Sequence, residues 1–331
     1  MLRAVAAFMV LFYHSLPQYE FLNGEFNLFK LIAGFGYSGV DIFFVISGFV
    51  AAHTTLSKPR NFNSILSFIH HRFVRIYFGY WPFFVIAALS AIYLTHSSKN
   101  IDWFGSFLLT STDMKRLLIY VTWSLTYELI FYGLTAVSLL FPPKHVIRLT
   151  FLGLLILITS LMIKLNTPLS ATFLFLAFFC EFLTGIMIFV HLEKLLNKYF
   201  IFPCLAIILG SLYFGHHFHA ADGSIRIFTF GLSAATLVIL ALTLEQTRLW
   251  VANRWWVNMG NASYTLYLAH VSLFLFFYFS GLRGLLADQP LLLREAGFFL
   301  YLLFCIHAAH TFYRHVERPL YEWGCGLKLT G

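Results

Sequence analysis

The sequence predicts an all-α polytopic membrane protein, a bundle of about ten transmembrane helices with both termini cytoplasmic. Three observations carry that prediction. Of the 331 residues, 60% are hydrophobic and 19% aromatic, forty of them phenylalanine. Only 11% are charged, where a soluble domain carries about 25%. Apolar runs approaching the roughly 20 residues that span a bilayer core at 1.5 Å each recur along the whole chain.

The runs fall at about 2–16, 31–52, 76–95, 117–140, 147–164, 171–190, 200–214, 226–244, 263–280 and 296–313. The first is read as a retained span, because His14, Ser15, Leu16, Pro17 and Gln18 follow it in place of a small-residue cleavage site. With both ends inside, fourteen of the 22 Lys and Arg lie on the cytoplasmic side, Arg3, Lys58, Arg60, Arg72, Arg75 and Lys328 among them. That asymmetry sets the orientation. It also accounts for the net charge of +8, which in a soluble protein would suggest nucleic acid. The longest polar connections are 53–75, basic and expected in the cytoplasm, and 96–116. Without internal repeats or low-complexity tracts, residues 1–331 read as one domain with no appended soluble domain. Four scattered cysteines support neither a disulfide framework nor a zinc site. HHFH at 216–219 lacks a carboxylate partner, so no metal is expected.

Chemistry concentrates in five stretches. In RAVAAFMVLFYH, Arg3 and His14 are eleven residues apart. On a helix that is three turns, one face and about 16 Å. Arg3 reads as a cytoplasmic anchor or a site residue; His14 reads as an interfacial histidine or a proton acceptor, imidazole being suited to that near neutral pH. In YSGVDIFFVISGF, Asp41 is costly among apolar neighbours without a partner. It either ties helices together or takes part in chemistry, and Gly39 and Gly48 permit close helix approach.

HHRFVRIYFGYWP places His71, Arg72 and Arg75 on a shared helical face. Guanidinium pairs grip phosphate, and they also anchor spans. In VTWSLTYELIFYG, Glu128 has Ser124 and Tyr132 one turn away; it orients a histidine, binds a sugar hydroxyl or pairs helices. In NASYTLYLAHVSL, Ser263, Tyr267 and His270 lie on nearby faces, lining a cavity or holding register. After the last run comes ERP, where Glu317 pairs with a nearby arginine and Pro319 limits the helix.

Together and in this order, LRAVAAFMVLFYH, GVDIFFVISGF, RFVR, WSLTYELIFY, SYTLYLAH and ERP resemble acyltransferase family 3, especially its exopolysaccharide O-acetyltransferases. The resemblance covers nearly the whole chain. It implies about ten membrane helices and transfer of an acyl group, usually acetyl, from cytoplasmic acyl-CoA to a hydroxyl of a glycan or glycolipid. It implies a bacterial inner-membrane location and acetyl-CoA as donor. His14 would then be the catalytic histidine with Arg3 its motif partner, and Asp41 and Glu128 would lie near the reaction centre in unfixed roles. Arg72 and Arg75, with His71 beside them, would hold the donor. The chain departs from the pattern in an arginine as early as residue 3 and in the absence of the hydrolase-like domain that many relatives carry after ERP. Rival readings are a transporter or flippase, whose paired, interrupted helices are missing here, and an N-acyltransferase acting on an amino sugar.

Overall fold

The computed structural model describes residues 1–93, 100–163, 171–217 and 225–326. Lys328, residues 218–219 of HHFH, and parts of the connections 96–116 and 215–225 lie outside the described residues. Every regular element among those described is helical.

In chain order the helices are α1 (Leu2–Phe21), α2 (Asn27–Gly34), α3 (Gly39–Thr55), α4 (Phe62–Phe73), α5 (Gly79–Tyr93) and α6 (Trp103–Leu108). There follow α7 (Trp123–Ser138), α8 (Pro143–Ile163), α9 (Ala171–Val190), α10 (Leu192–Leu195), α11 (Ile201–His217) and α12 (Leu232–Gln246). The last are α13 (Arg254–Asn261), α14 (Ser263–Phe279), α15 (Leu282–Ala287), α16 (Leu291–Phe312) and α17 (Arg318–Gly326). Wide π-helical turns join α4 to α5 (Val74–Phe78), lead into α12 (Ile227–Gly231) and join α16 to α17 (Tyr313–Glu317).

Each of the ten expected runs contains a helix. Six helices among the described residues are long and apolar enough to cross a membrane, or seven if the pair α13 and α14, bent by 63°, forms one span. The shortfall from ten has visible causes: α7 and α14 have 16 and 17 residues, and α1 carries His14, Ser15, Gln18 and Glu20 along its second half.

Three boundaries differ from expectation. α1 passes through Pro17 and ends at Phe21, five residues beyond 16; prolines are tolerated inside membrane helices when neighbouring groups satisfy the freed carbonyl. The segment 53–75 is not a polar connection throughout, since helix resumes at Phe62 and runs to Tyr93 as one stretch. Pro319 does not end the last helix, which continues to Gly326. Pro319 is the second residue of α17, after a π turn, in the first turn where a missing N–H costs least.

The chain divides into two compact units. The first comprises Met1–Ala6, Ser38–Ile69 and Tyr127–Trp256, and the second Ala7–Tyr37, His70–Thr126 and Val257–Gly331. In the first, α3 and α9 lie backbone against backbone. A Cβ on Gly48 would sit 1.8 Å from the Phe182 carbonyl oxygen, and one on Gly185 only 2.0 Å from that of Val45. Such reciprocal small-residue contacts let membrane helices gain dispersion energy where no hydrophobic effect is available. Phe44, Phe131, Phe178 and Phe182 fill the space beside them, with Phe44 4.6 Å from Phe178 and Phe131 5.0 Å from Phe182. Large apolar side chains on α8 and α11, such as Leu155, Ile156, Phe202 and Leu209, point outward, as lipid-facing surfaces do.

In the second unit, side-chain hydroxyls tie the helices to backbone. Tyr80 donates to the Ser106 carbonyl at 2.7 Å and Tyr264 to that of Ile76 at 2.8 Å. Ile76 belongs to a π turn, whose irregular bonding frees carbonyls for such partners. Tyr19, fully buried, donates to Glu295 at 2.7 Å.

Candidate functional site

The second unit holds the histidine of the first motif. His14 is on α1, and His270 lies on α14, fully buried. The Nε2 of His270 is 3.2 Å from the Nδ1 of His14, and the rings stack with centroids 4.9 Å apart. His14 Nδ1 is also 3.0 Å from the Val10 carbonyl, while His270 Nδ1 is 3.2 Å from that of Leu266. Tyr120 presents its ring edge-on to His14 at 5.4 Å. Its position is fixed by Tyr267, whose hydroxyl is 2.7 Å from Ser124 Oγ and donates to the Val121 carbonyl at 2.6 Å. Of the fifth stretch, therefore, His270 meets His14 and Tyr267 braces the segment beside it.

A cavity of about 390 Å³ opens against His14, walled by Gln18, Tyr120, Phe274, Tyr278 and Phe279 among others. Its wall mixes aromatic and aliphatic side chains, with an imidazole, an amide and two phenol groups as polar points. At its rim, Arg283 donates to Gln18 at 3.1 Å and lies 4.9 Å from the centre of the Tyr278 ring.

The basic motif is in the same unit. Arg75, within the first π turn, donates from Nη1 to Glu317 Oε1 at 2.8 Å. Glu317, within the third π turn, is 1% exposed and also accepts from Thr265 through Oε2. The arginine on Glu317 is thus Arg75, 242 positions earlier in the chain and not near it in sequence as expected. The guanidinium, with its side chain 26% exposed, lies over Tyr264 at 5.5 Å and Tyr321 at 6.0 Å. Arg72 stands in the last turn of α4, partly buried, and His71 beside it is exposed.

Arg3, Asp41 and Glu128 belong to the first unit. Asp41 is fully buried, and both its oxygens are engaged by Arg226: Nε to Oδ1 at 3.0 Å and Nη2 to Oδ2 at 2.6 Å. Arg226 packs 5.2 Å over the Phe178 ring. Glu181, 1% exposed, lies near enough to interact with both members of the pair. Glu128 accepts from Ser47 at 2.9 Å and from Tyr132 at 2.5 Å. Ser124, on the other side, turns to Tyr267. Arg3 sits 5.9 Å over the Phe43 ring.

Sequence reasoning left Asp41 without a named partner and passed over Glu181. Both carried a signal: Arg226 opens an apolar run, and Glu181 interrupts one. Among the described residues no group of three or more His, Cys, Asp or Glu side chains is gathered for a metal ion.

The model of an acyltransferase domain, family 3, matches residues 1–310. No curated protein and no solved structure matches the chain significantly. The family match spans all the motifs from Arg3 to His270, and the chain therefore belongs to the acyltransferase 3 family of membrane acyltransferases.

Proposed function

We propose that the protein transfers an acetyl group from acyl-CoA to a hydroxyl of a glycan or its lipid-linked precursor, in the inner membrane of a bacterium. The observation that carries this reading is His14, the motif histidine, standing at a partly aromatic cavity with its other nitrogen already engaged. Aromatic faces such as those of Tyr120 and Tyr278 suit the C–H faces of a sugar ring, and Gln18 suits its hydroxyls.

In the proposed reaction His14 takes the proton of the acceptor hydroxyl as the oxygen attacks the thioester carbonyl. The C–S bond breaks, the thiolate of CoA leaves, and His14 returns the proton to sulfur. The alternative, in which His14 itself carries the acetyl group, uses the same residue in two steps. Arg72, the exposed part of Arg75 and His71 hold the donor's phosphates on the cytoplasmic side. Arg3, Asp41 and Glu128 are retained in the machinery on the strength of the motifs in which they stand. Residues 1–331 act as a single catalytic domain.

The test is purified protein in lipid with labelled acetyl-CoA and a polysaccharide fraction. His14→Ala should lose transfer by at least about 10²-fold, the scale of a general base, while donor binding persists. Undiminished transfer in that variant sinks the assignment. Acetyl-histidine trapped at His14 on rapid quenching would decide for the two-step route.

A further inference from the structure

We infer that His270 is a positioning residue that fixes the tautomer of His14 and leaves Nε2 of His14 as the working nitrogen. This rests on the reading of His14 above. The hydrogen-bond partners assign the protons. A carbonyl oxygen only accepts, so the Nδ1 of His270, 3.2 Å from the Leu266 carbonyl, carries that ring's proton. The Nε2 of a neutral His270 is then an acceptor, and it faces His14 Nδ1 at 3.2 Å. The other group facing that nitrogen is the Val10 carbonyl at 3.0 Å, again an acceptor. His14 Nδ1 therefore bears the proton, shared between two acceptors, and the lone pair of the ring is on Nε2.

The arrangement does with two imidazoles what a carboxylate and an imidazole do in a hydrolase triad: the second group holds the first in the right tautomer and supports the cation that forms. When Nε2 takes the proton of the acceptor hydroxyl, His14 becomes an imidazolium and retains Nδ1–H. Its bond to His270 Nε2 becomes charge-assisted and shortens. When Nε2 passes its proton to the departing sulfur, the neutral pair is restored. No proton is lost or gained by His270. A neutral acceptor avoids placing a permanent carboxylate in a buried, low-dielectric position, where an ion is costly before it meets its partner. His270 is fully buried and Tyr267, three residues earlier on the same helix, is hydrogen-bonded to Val121, so the ring has little freedom to turn away.

The test compares His270→Gln, whose amide oxygen can reach the place of Nε2 and accept, with His270→Met, similar in size and unable to do so. Both are measured for transfer kinetics and thermal midpoint in lipid. We expect His270→Gln to keep kcat within about tenfold of the parent and His270→Met to lose about 100-fold, with KM for acetyl-CoA within about threefold in both, as for loss of an orienting partner. Equal kcat in the two variants, whether high or low, overturns the inference, since a purely packing role would not distinguish oxygen from a thioether. If His270→Met does not fold, His270→Ala supplemented with imidazole replaces it. Transfer restored by imidazole supports the inference, and transfer unmoved by it at saturating concentration overturns it. These outcomes are separable from failure of the functional reading, which would show as undiminished transfer in His14→Ala.

Discussion

Asp41 and Arg226 show how far single residues can be read from the chain. A carboxylate between apolar neighbours announces its need for a partner, but the partner stands 185 positions away, and its place at the head of an apolar run does not tie it to Asp41. Both side chains are buried, so removing one deprives the other of a close partner that water does not replace. Asp41→Ala should lower stability by about 3–5 kcal/mol, the usual cost of an orphaned buried ion. The joint replacement Asp41→Leu with Arg226→Met should recover most of it, as read from thermal midpoints in detergent. Additive losses in the two single variants and the double one would mean the pair is not coupled. The placing of His14 on one helix with Arg3 was legible for a different reason: their spacing is an internal property of that helix, and α1 is continuous from Leu2 to Phe21. Its contact with His270 depends on where α14 comes to lie, which spacing does not encode.

At the scale of elements, hydropathy marked a helix in each of ten runs, missed helices outside them such as α4 and α13, and mislocated several ends. Charges and prolines were taken as boundaries, yet α4 carries His70, His71 and Arg72 in its last turn and α17 accommodates Pro319. Backbone hydrogen bonds must be satisfied internally in lipid, so helices extend past the apolar stretch that betrays them. The glycines were read more successfully. Gly48 was expected to admit a neighbouring helix, and it does so against Phe182 of α9. Gly48→Leu should therefore prise α3 from α9 and reduce the yield of folded protein on size-exclusion chromatography. Gly133→Leu, where a Cβ meets nothing within 4 Å, should leave the profile unchanged. A normal profile for Gly48→Leu would contradict the close approach.

For the whole molecule, composition alone sufficed to identify a polytopic membrane protein, because six helices among the described residues pass the length and hydropathy test. The number of spans was harder to read, since short or polar helices such as α7 and α1 carry weak signals. The ten-span arrangement with cytoplasmic ends makes a definite forecast. In a Cys325→Ser background, a cysteine at Asn61 should react with a membrane-impermeant thiol reagent only after the cytoplasmic side is opened. One at Gln289 should react in intact cells. Labelling of both from the same side would mean an even number of spans between them, in place of the seven expected.

The interleaving of the two units also sets an order of events during synthesis. Each unit draws on three separated stretches, so neither is complete until late in translation: the first needs residues up to Trp256, and the second needs those after it. His270, the partner of His14, leaves the ribosome 256 residues after it. At about 5–20 residues per second that is an interval of roughly 13–50 s. Throughout it the His14 imidazole has the Val10 carbonyl of its own helix but not its partner ring. His14 is thus made well before the residues that house it, and the pair closes only when α14 has been added to the second unit.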